Sequence, residues 1–231
     1  MGESIHLCNC LDCKLKTLFF DFVETDQQQI LCSAKIENQF KKGEIIILEG
    51  DMISDFIYLK SGLVKLTRRT SNGNEQILSF AKPFDFVSLL SIFSSSRYNY
   101  SVIAIEDTEI CILDLQNVKN MILENGKFAL NIMQKISDAT DRIILDNLEI
   151  KRKHLHGRVA HLLIYFSDIV YNQRTIQLPI SRQEIADYIG MTTENVIRAL
   201  SEFKKNGIIR TFGKDIDIVD IERLKAISEH G

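Results

Sequence analysis

The sequence predicts an α+β protein: a set of antiparallel strands, then a long helix, then a small helical domain that ends in a hairpin. Three observations support this prediction. Residues 36–115 consist of short runs rich in β-branched and aromatic residues, with glycines between them. From about Lys127 the apolar residues recur every three or four positions, which is typical of a helix. Residues 179–219 contain two helices separated by a tight turn and followed by two short strands.

Short strands dominate the first half of the chain. The Asn72-Gly73 pair lies between two of them and is a strong hairpin signal. Many short strands with glycine at their corners predict a closed antiparallel barrel or a sandwich. The strand-like runs are IIIL (45–48), FIYLK (56–60), LVKLT (63–67), QILSF (76–80), YSVIAI (100–105) and EICIL (109–113).

The long helix carries two apolar lines. One line has the spacing of a coiled-coil seam: Ala129, Ile132, Ile136, Ala139, Ile143, Asp146 and Ile150. The other contains Met133, Thr140, Ile144 and Leu148 and could lie on the barrel. One interpretation is a single amphipathic helix packed on its own domain. We prefer a helix that pairs with its twin through Ile132, Ile136, Ala139 and Ile143, with the polar Asp146 marking where the two helices part.

Residues 179–219 predict a winged helix-turn-helix, preceded by a helix over 157–170. Ser181 and Glu184 form a capping box, so a helix begins there. Gly190 ends it, and Thr192 is a good N-cap for the second helix, which Gly207 ends in turn. The inner faces are expected to be formed by Ile185, Ala186 and Ile189, then by Val196, Ala199, Leu200 and Phe203. Two strands flank Gly213-Lys214.

The outer face of the second helix has side chains suited to base contacts. Arg198 could make a bidentate contact to guanine, and Glu194 could accept a hydrogen bond from a cytosine amino group. Four residues apart, the two could brace each other, although such a pair is also common on ordinary helix surfaces. The predicted DNA-contacting residues are Ser181, Thr192, Thr193, Glu194, Ile197, Arg198, Lys204 and Lys214.

Composition and charge exclude several classes of protein. From Lys151 onward there are 13 basic against 10 acidic residues, although the net charge of the chain is −3, so the C-terminal part can contact nucleic acid. No apolar run approaches the roughly 20 residues that cross a bilayer, and no signal peptide is evident, so we expect a cytoplasmic protein without a membrane. No histidine occurs between His6 and His154, and no catalytic motif is recognisable, so we expect no enzyme. His154, His156 and His161 are interpreted as solvated residues rather than a zinc site.

The order of domains and several motifs resemble the CRP/FNR family of bacterial transcription regulators. The motifs are KGEIIILEGD (42–51), SGLVKLT (61–67) and GMTTENVIRAL (190–200). The resemblance implies a cysteine-bearing segment (1–17), an effector-sensing β-barrel of the cyclic-nucleotide-binding jelly-roll type (18–124), a dimerisation helix (125–150) and a winged helix-turn-helix (151–231). It also implies a homodimer on a palindromic double-stranded operator, with RNA polymerase as a further partner. Glu194 and Arg198 match the pair that contacts a TGA core, and Ile197 replaces the usual Ser or Gly.

The resemblance does not extend to the cyclic-nucleotide site. Ser88, Leu89 and Leu90 stand where the cyclic-nucleotide members have Gly-Glu-Leu, so the ribose-binding carboxylate is absent. Arg97, followed by Tyr98, is out of register with the phosphate-binding arginine. A nucleotide bound without these contacts would leave buried polar groups unpaired, so cAMP is not expected. The candidate effector pocket therefore comprises Ser88, Leu89, Arg97 and Tyr98.

Three cysteines, Cys8, Cys10 and Cys13, fall in the stretch CNCLDC. The oxygen-sensing branch of the family holds a [4Fe–4S] cluster on such a group plus one barrel cysteine, which Cys111 matches. The spacing is C-x-C-x2-C rather than C-x2-C-x5-C, with Phe19 in the third ligand's place. A zinc site, a thiol–disulfide switch and unligated cysteines remain open. Cys32 is interpreted as a core thiol. We expect control by oxygen, nitric oxide or redox state; the alternative is a same-fold regulator with a small organic effector in the barrel.

Overall fold

The computed structural model describes Val23, residues 35–71, Gly73 and residues 75–231. By contacts the chain divides into two compact units, Met1–Arg142 and Ile143–Gly231, and the division falls inside the long helix. Cys8, Cys10 and Cys13, which the sequence analysis proposed as cluster ligands, and Cys32, which it interpreted as a core thiol, lie outside the described residues.

The strands of the first unit form two separate antiparallel sheets. One has the order β1-β7-β3 and the other β2-β6-β4-β5. The expected closed barrel is therefore wrong and the sandwich alternative is correct, because no strand ladder joins the two sheets within the described residues. The strands are β1 (Ile36–Phe40), β2 (Ile45–Ile47), β3 (Asp55–Ser61), β4 (Val64–Arg69), β5 (Glu75–Ala81), β6 (Ser101–Ala104) and β7 (Thr108–Asp114).

Alternation along β3 and β7 gives the three-stranded sheet two buried faces. Ile57, Leu59 and Ile110 face the second sheet and pack there with residues of β2, β4 and β6. Phe56 and Cys111 point to the other face, which the helices that follow β7 cover. The sheet is thus the middle layer of the first unit, and Cys111 lies on its helix-covered side.

Two consecutive helices follow β7. Asp114 caps α1 (Leu115–Glu124) by accepting a hydrogen bond of 2.8 Å from the amide of Asn117. Helix α2 (Gly126–Arg152) is the long helix predicted from the apolar spacing. Its first turns insert Phe128 and Ile132 into the cluster around Phe56. Within the described residues, no helix has the length and apolar character that crossing a bilayer requires.

The second unit contains the predicted helices and hairpin. Helix α3 (Leu155–Ile164) continues as a π-helical segment (Tyr165–Tyr171). Strand β8 (Thr175–Gln177) precedes α4 (Arg182–Ile189) and α5 (Thr193–Lys205). The hairpin β9 (Ile209–Phe212) and β10 (Asp215–Ile218) follows, and α6 (Ile221–His230) is the last helix. The sheet order β8-β10-β9 adds a strand that the sequence did not predict, because TIQ is too short and polar to stand out.

Candidate nucleic-acid interface

Helices α4 and α5 form a helix-turn-helix held by the predicted caps. The amide of Glu184 donates to Ser181 Oγ at 3.2 Å, and Glu184 Oε2 accepts from the Ser181 amide at 2.8 Å. Gly190 ends α4 with φ +68°, a left-handed conformation that suits glycine. Thr192 Oγ1 accepts from the Asn195 amide at 3.3 Å and so caps α5. These contacts fix the turn that presents α5.

The inner faces of the two helices are those that the sequence predicts. Ile185, Ala186 and Ile189 are buried on α4, and the buried residues of α5 are Val196, Ala199, Leu200 and Phe203. Their burial leaves the opposite face of α5 exposed. On that face Ile197 is 51% exposed, and Thr192, Glu194, Arg198 and Lys204 are also exposed.

Glu194 and Arg198 do not brace each other as expected. Instead, Arg198 Nη2 donates to Asn195 Oδ1 at 3.1 Å. The backbone amide of Glu194 itself, and then the Thr192 hydroxyl, hold the pKa of the Glu194 carboxyl below its usual value. The N-terminus of α5 also favours this negative charge. The Glu194 carboxylate is therefore ionised, and both side chains are held on the exposed face of the first half of α5.

Two residues that the sequence analysis missed, Gln183 and Asn195, hold predicted residues of this surface in place. Thr193 Oγ1 donates to Gln183 Oε1 on α4 at 2.6 Å, and Gln183 in turn donates to Asp187 Oδ1 at 2.8 Å. Asn195 holds Arg198 from one helical turn earlier. The spacing i, i+3 between Asn195 and Arg198 was visible in the sequence, whereas the contact between α4 and α5 depends on the turn geometry.

The hairpin supplies a second exposed group beside the helices. Lys214 lies in the two-residue turn between β9 and β10 and is exposed. Phe212, which precedes the turn, is 64% exposed. On the neighbouring strand Asp215 and Asp217 accept hydrogen bonds from Gln177 and Thr175 of β8. The ammonium group of Lys214 is thus at the tip of the hairpin, whereas the carboxylates of Asp215 and Asp217 are hydrogen-bonded to β8.

The candidate effector residues lie in different surroundings from one another. Ser88 is 0% exposed, and its Oγ accepts from the Ile57 amide at 2.9 Å. Leu89 and Tyr98 are also buried in the core, and burial raises the pKa of the Tyr98 hydroxyl. Arg97 is exposed, and its guanidinium donates to the Gly50 carbonyl at 2.7 Å. The structure does not bring these four side chains together around a described cavity.

Cys111 occupies the middle strand of its sheet. It is 1% exposed and pairs across the sheet with Glu37 of β1 and Tyr58 of β3. Val23 packs against the same cluster of residues that contains Cys111. Among the described residues no group of three or more His, Cys, Asp or Glu side chains could hold a metal ion, and Cys111 is the one predicted ligand whose position is given.

A network of charged side chains surrounds Glu37, the residue of β1 that pairs with Cys111. Lys35 and Lys60 donate to the two carboxylate oxygens of Glu37 at 2.8 and 2.9 Å, and Lys60 also donates to Glu109 at 2.9 Å. Burial raises the pKa of Glu37, but the hydrogen bonds and charges of the two lysines outweigh it and lower the pKa overall. Glu37 is therefore an ionised, almost fully buried group one strand away from Cys111.

Helix α2 buries the start of the apolar line that we expected to pair with a twin helix. Ile132 is 2% exposed in the core, and Ile136 packs against the same core. Ala139 and Ile143 are half-buried. In the second line Met133 is 62%, Ile144 51% and Leu148 57% exposed, whereas Thr140 is half-buried; Leu130 and Leu145 are exposed beside them. Apolar spacing locates both lines but does not determine which of them the chain's own core covers.

Comparisons with known proteins agree with this architecture. A family model described as a cyclic nucleotide-binding domain matches residues 37–125, and one described as a Crp-like helix-turn-helix domain matches residues 157–227. The chain is 28% identical to the transcriptional activator protein FnrA of Stutzerimonas stutzeri, over 99% of this chain and 98% of that one. It is 27% identical to electron transport regulator A of Shewanella oneidensis, over 98% and 92%. The solved structure of FixK2 from Bradyrhizobium japonicum matches with a TM-score of 0.75 at 25% identity, over 84% and 96%.

Proposed function

Because the chain belongs to the CRP/FNR family of transcription regulators, we propose that two copies of it bind a palindromic operator and that chemistry at its cysteines controls this binding. Membership of the family establishes that the chain is a DNA-binding transcription regulator and not an enzyme. The dimer, the operator symmetry and the cysteine chemistry are the parts that we propose.

The exposed N-terminal end of α5 is the observation that carries the proposal. Residues at the N-terminus of a recognition helix are those that reach base edges in the major groove. Here Glu194 supplies an ionised acceptor and Arg198 a fork of donors, and both project from a face with no buried apolar residue. An acceptor and a bidentate donor one turn apart suit neighbouring C·G and G·C pairs. Ile197, between them, is apolar and exposed, as a contact to a thymine methyl group requires.

The exposed apolar line of α2 supports a homodimer. Met133, Ile144 and Leu148 form an apolar strip on α2 that is exposed among the described residues. A second copy of the same helix would cover it with an identical strip, as a two-fold interface requires. A two-fold dimer would place its recognition helices in successive major grooves, about 34 Å apart, on a palindrome. RNA polymerase is the further partner that the family implies.

The position of Cys111 supports control by the cysteines. Its thiol is shielded from water, and Val23, ten residues after Cys13 in the sequence, packs against the same cluster. Held by Cys8, Cys10, Cys13 and Cys111, a [4Fe–4S] cluster would supply an oxygen-sensitive tie between the N-terminal segment and β7. The buried positions of Ser88 and Tyr98 disfavour the alternative, an organic effector at those residues, because both hydroxyl groups already have hydrogen-bond partners within the protein: Ser88 Oγ accepts from the Ile57 amide and the Tyr98 hydroxyl donates to the Asp55 carbonyl.

Selection of DNA from a random pool tests the proposal. The anaerobically purified chain is incubated with random duplexes, bound sequences are recovered, and the mass of the complex is measured by sedimentation. We expect a palindrome with a G·C pair in each half and two chains per duplex. Random recovered sequences would contradict specific binding, and one chain per duplex would contradict the dimer.

A further inference from the structure

Asp146, near the end of α2, contacts two other helices of the second unit. His161 Nε2 of α3 lies 2.7 Å from Asp146 Oδ1, and the Tyr188 hydroxyl of α4 donates to Asp146 Oδ2. The side chains of His161 and Asp146 are 24% and 23% exposed, so water screens these contacts only in part. From the sequence alone, Asp146 was interpreted as the point where two paired helices part.

The surroundings of Tyr188 keep its hydroxyl group protonated, so that it can donate a hydrogen bond to Asp146. Burial raises the pKa of its hydroxyl, and the negative charge of Asp146 together with the hydrogen bond raises it further. The phenol therefore keeps its proton across the physiological range. A hydrogen bond from a neutral donor to a carboxylate is among the stronger polar contacts in proteins.

A second attachment lies one residue further along α4. Arg158 Nη1 donates to the Ile189 carbonyl at 2.8 Å, while its Nε donates to the Lys153 carbonyl at 2.7 Å. Tyr188 and Ile189 form the last turn of α4, directly before Gly190 and the turn into α5. The last turn of α4 is thus attached, by one side chain and one carbonyl, to the end of α2 and the segment that follows it.

We propose that Asp146, His161 and Tyr188 are positioning residues that set the angle at which the end of α2 presents α5, and thereby the half-site spacing that the dimer accepts. The inference rests on the proposed function, since spacing matters only if two recognition helices bind one palindrome. None of the three residues lies on the exposed face of α5, so they act on DNA through the helix and not by contact with it.

Half-site spacing is a stringent reporter of this angle. Adding or removing one base pair between half-sites moves one of them by about 3.4 Å and rotates it by about 35° around the duplex. If the angle between the end of α2 and α5 is fixed, one recognition helix loses its contacts to the displaced half-site. If that angle can vary, the helix can still reach the half-site. Loss of the Tyr188 hydroxyl should therefore reduce discrimination between spacings more than it reduces affinity for the preferred one.

The test compares Tyr188→Phe and Asp146→Asn with the wild-type chain on the palindrome selected above and on versions one base pair longer and shorter. Tyr171→Phe is the matched control, because Tyr171 is a tyrosine of the same unit that lies at the end of the π-helical segment, where its ring stacks on Phe166. Fluorescence anisotropy gives the ratio of dissociation constants between altered and preferred spacing. We expect this ratio to fall about tenfold in both variants, the factor for one hydrogen bond to a charged group, and to stay unchanged in the control.

The ratio of dissociation constants does not depend on the folded fraction of a variant, because a smaller folded fraction raises the apparent dissociation constant for every duplex by the same factor. Variants that keep the wild-type ratio while binding all three duplexes more weakly would have lost only stability, and would overturn the inference. A wild-type chain that binds none of the duplexes would instead overturn the proposed function, and the inference with it.

Discussion

Ile132 and Met133 are neighbours in the chain, yet Ile132 is 2% exposed in the core of the first unit while Met133 is 62% exposed on the outside of α2. The helix therefore serves two surfaces. Ile132 packs in the core of the first unit, and the exposed line is the surface through which we propose that two copies meet. Substitutions at these two adjacent positions should have separable effects.

Met133→Asp should weaken self-association by at least about tenfold, because two desolvated carboxylates would meet near the two-fold axis. Sedimentation velocity over a range of concentrations measures this. Ile132→Val is the matched substitution on the buried line and should cost about 1 kcal/mol of folding stability with the dimer intact. A Met133→Asp chain that associates as tightly as the wild type would place the dimer contact elsewhere.

Glu37→Gln should make folding stability less dependent on acid pH. The pKa of Glu37 is lower in the folded chain than in the unfolded one, so its stabilising contribution is complete above the unfolded value of about 4.3 and is lost as pH falls through the folded value. Urea unfolding at pH 7 and pH 3 measures the effect. We expect the variant to be about 3 kcal/mol less stable at pH 7 because it breaks a buried ionic network, with a smaller deficit at pH 3. An equal deficit at both values would show that the charge of Glu37 is not responsible.

Lys214→Ala should weaken binding to specific and random duplexes by the same factor, because a lysine at a hairpin tip contacts phosphate and not bases. The slope of log affinity against log salt should fall by about 0.9 for each chain, or about 2 for a dimer. Lys225 on α6, which pairs with Glu222, is the control position: Lys225→Ala should leave the slope unchanged. A Lys214→Ala variant that discriminates differently between duplexes would indicate a base contact.

Cys111→Ser should abolish iron binding if Cys111 is the fourth ligand. We expect anaerobically purified wild-type chain to carry about four iron atoms and a broad visible absorbance, and the serine variant to lose most of both. Cys32→Ser is the control and should keep them. Wild-type chain that is colourless and free of iron and sulfide would favour the zinc, disulfide or unligated alternatives.

Local patterns predicted most of the second unit. The capping pair of Ser181 and Glu184 located the start of α4, and Gly190 located its end, because these features depend on residues a few positions apart. Strand β1 was harder to predict. Three of the five residues in its sequence, IENQF, are polar, and its partner strand β7 lies more than 60 residues away in the chain.

The candidate site was predictable in its residues but not in its contacts. Spacing placed Glu194 and Arg198 on one face of α5, but it could not show that Asn195 holds Arg198 or that Thr192 contacts Glu194. Nor could spacing reveal the role of Asp146, whose partners come from two helices folded onto it. Such contacts follow from tertiary packing, to which a helical period is insensitive.

The most direct test of the account is the pairing between Arg198 and a guanine in each half-site. Arg198→Ala and the wild-type chain are titrated with the selected palindrome and with one in which that G·C pair is replaced by A·T. The account predicts that the base change weakens wild-type binding by about tenfold to a hundredfold, and that Arg198→Ala binds both duplexes equally and as weakly as the wild type binds the altered one. A variant that binds the selected palindrome as tightly as the wild type would contradict the central claim.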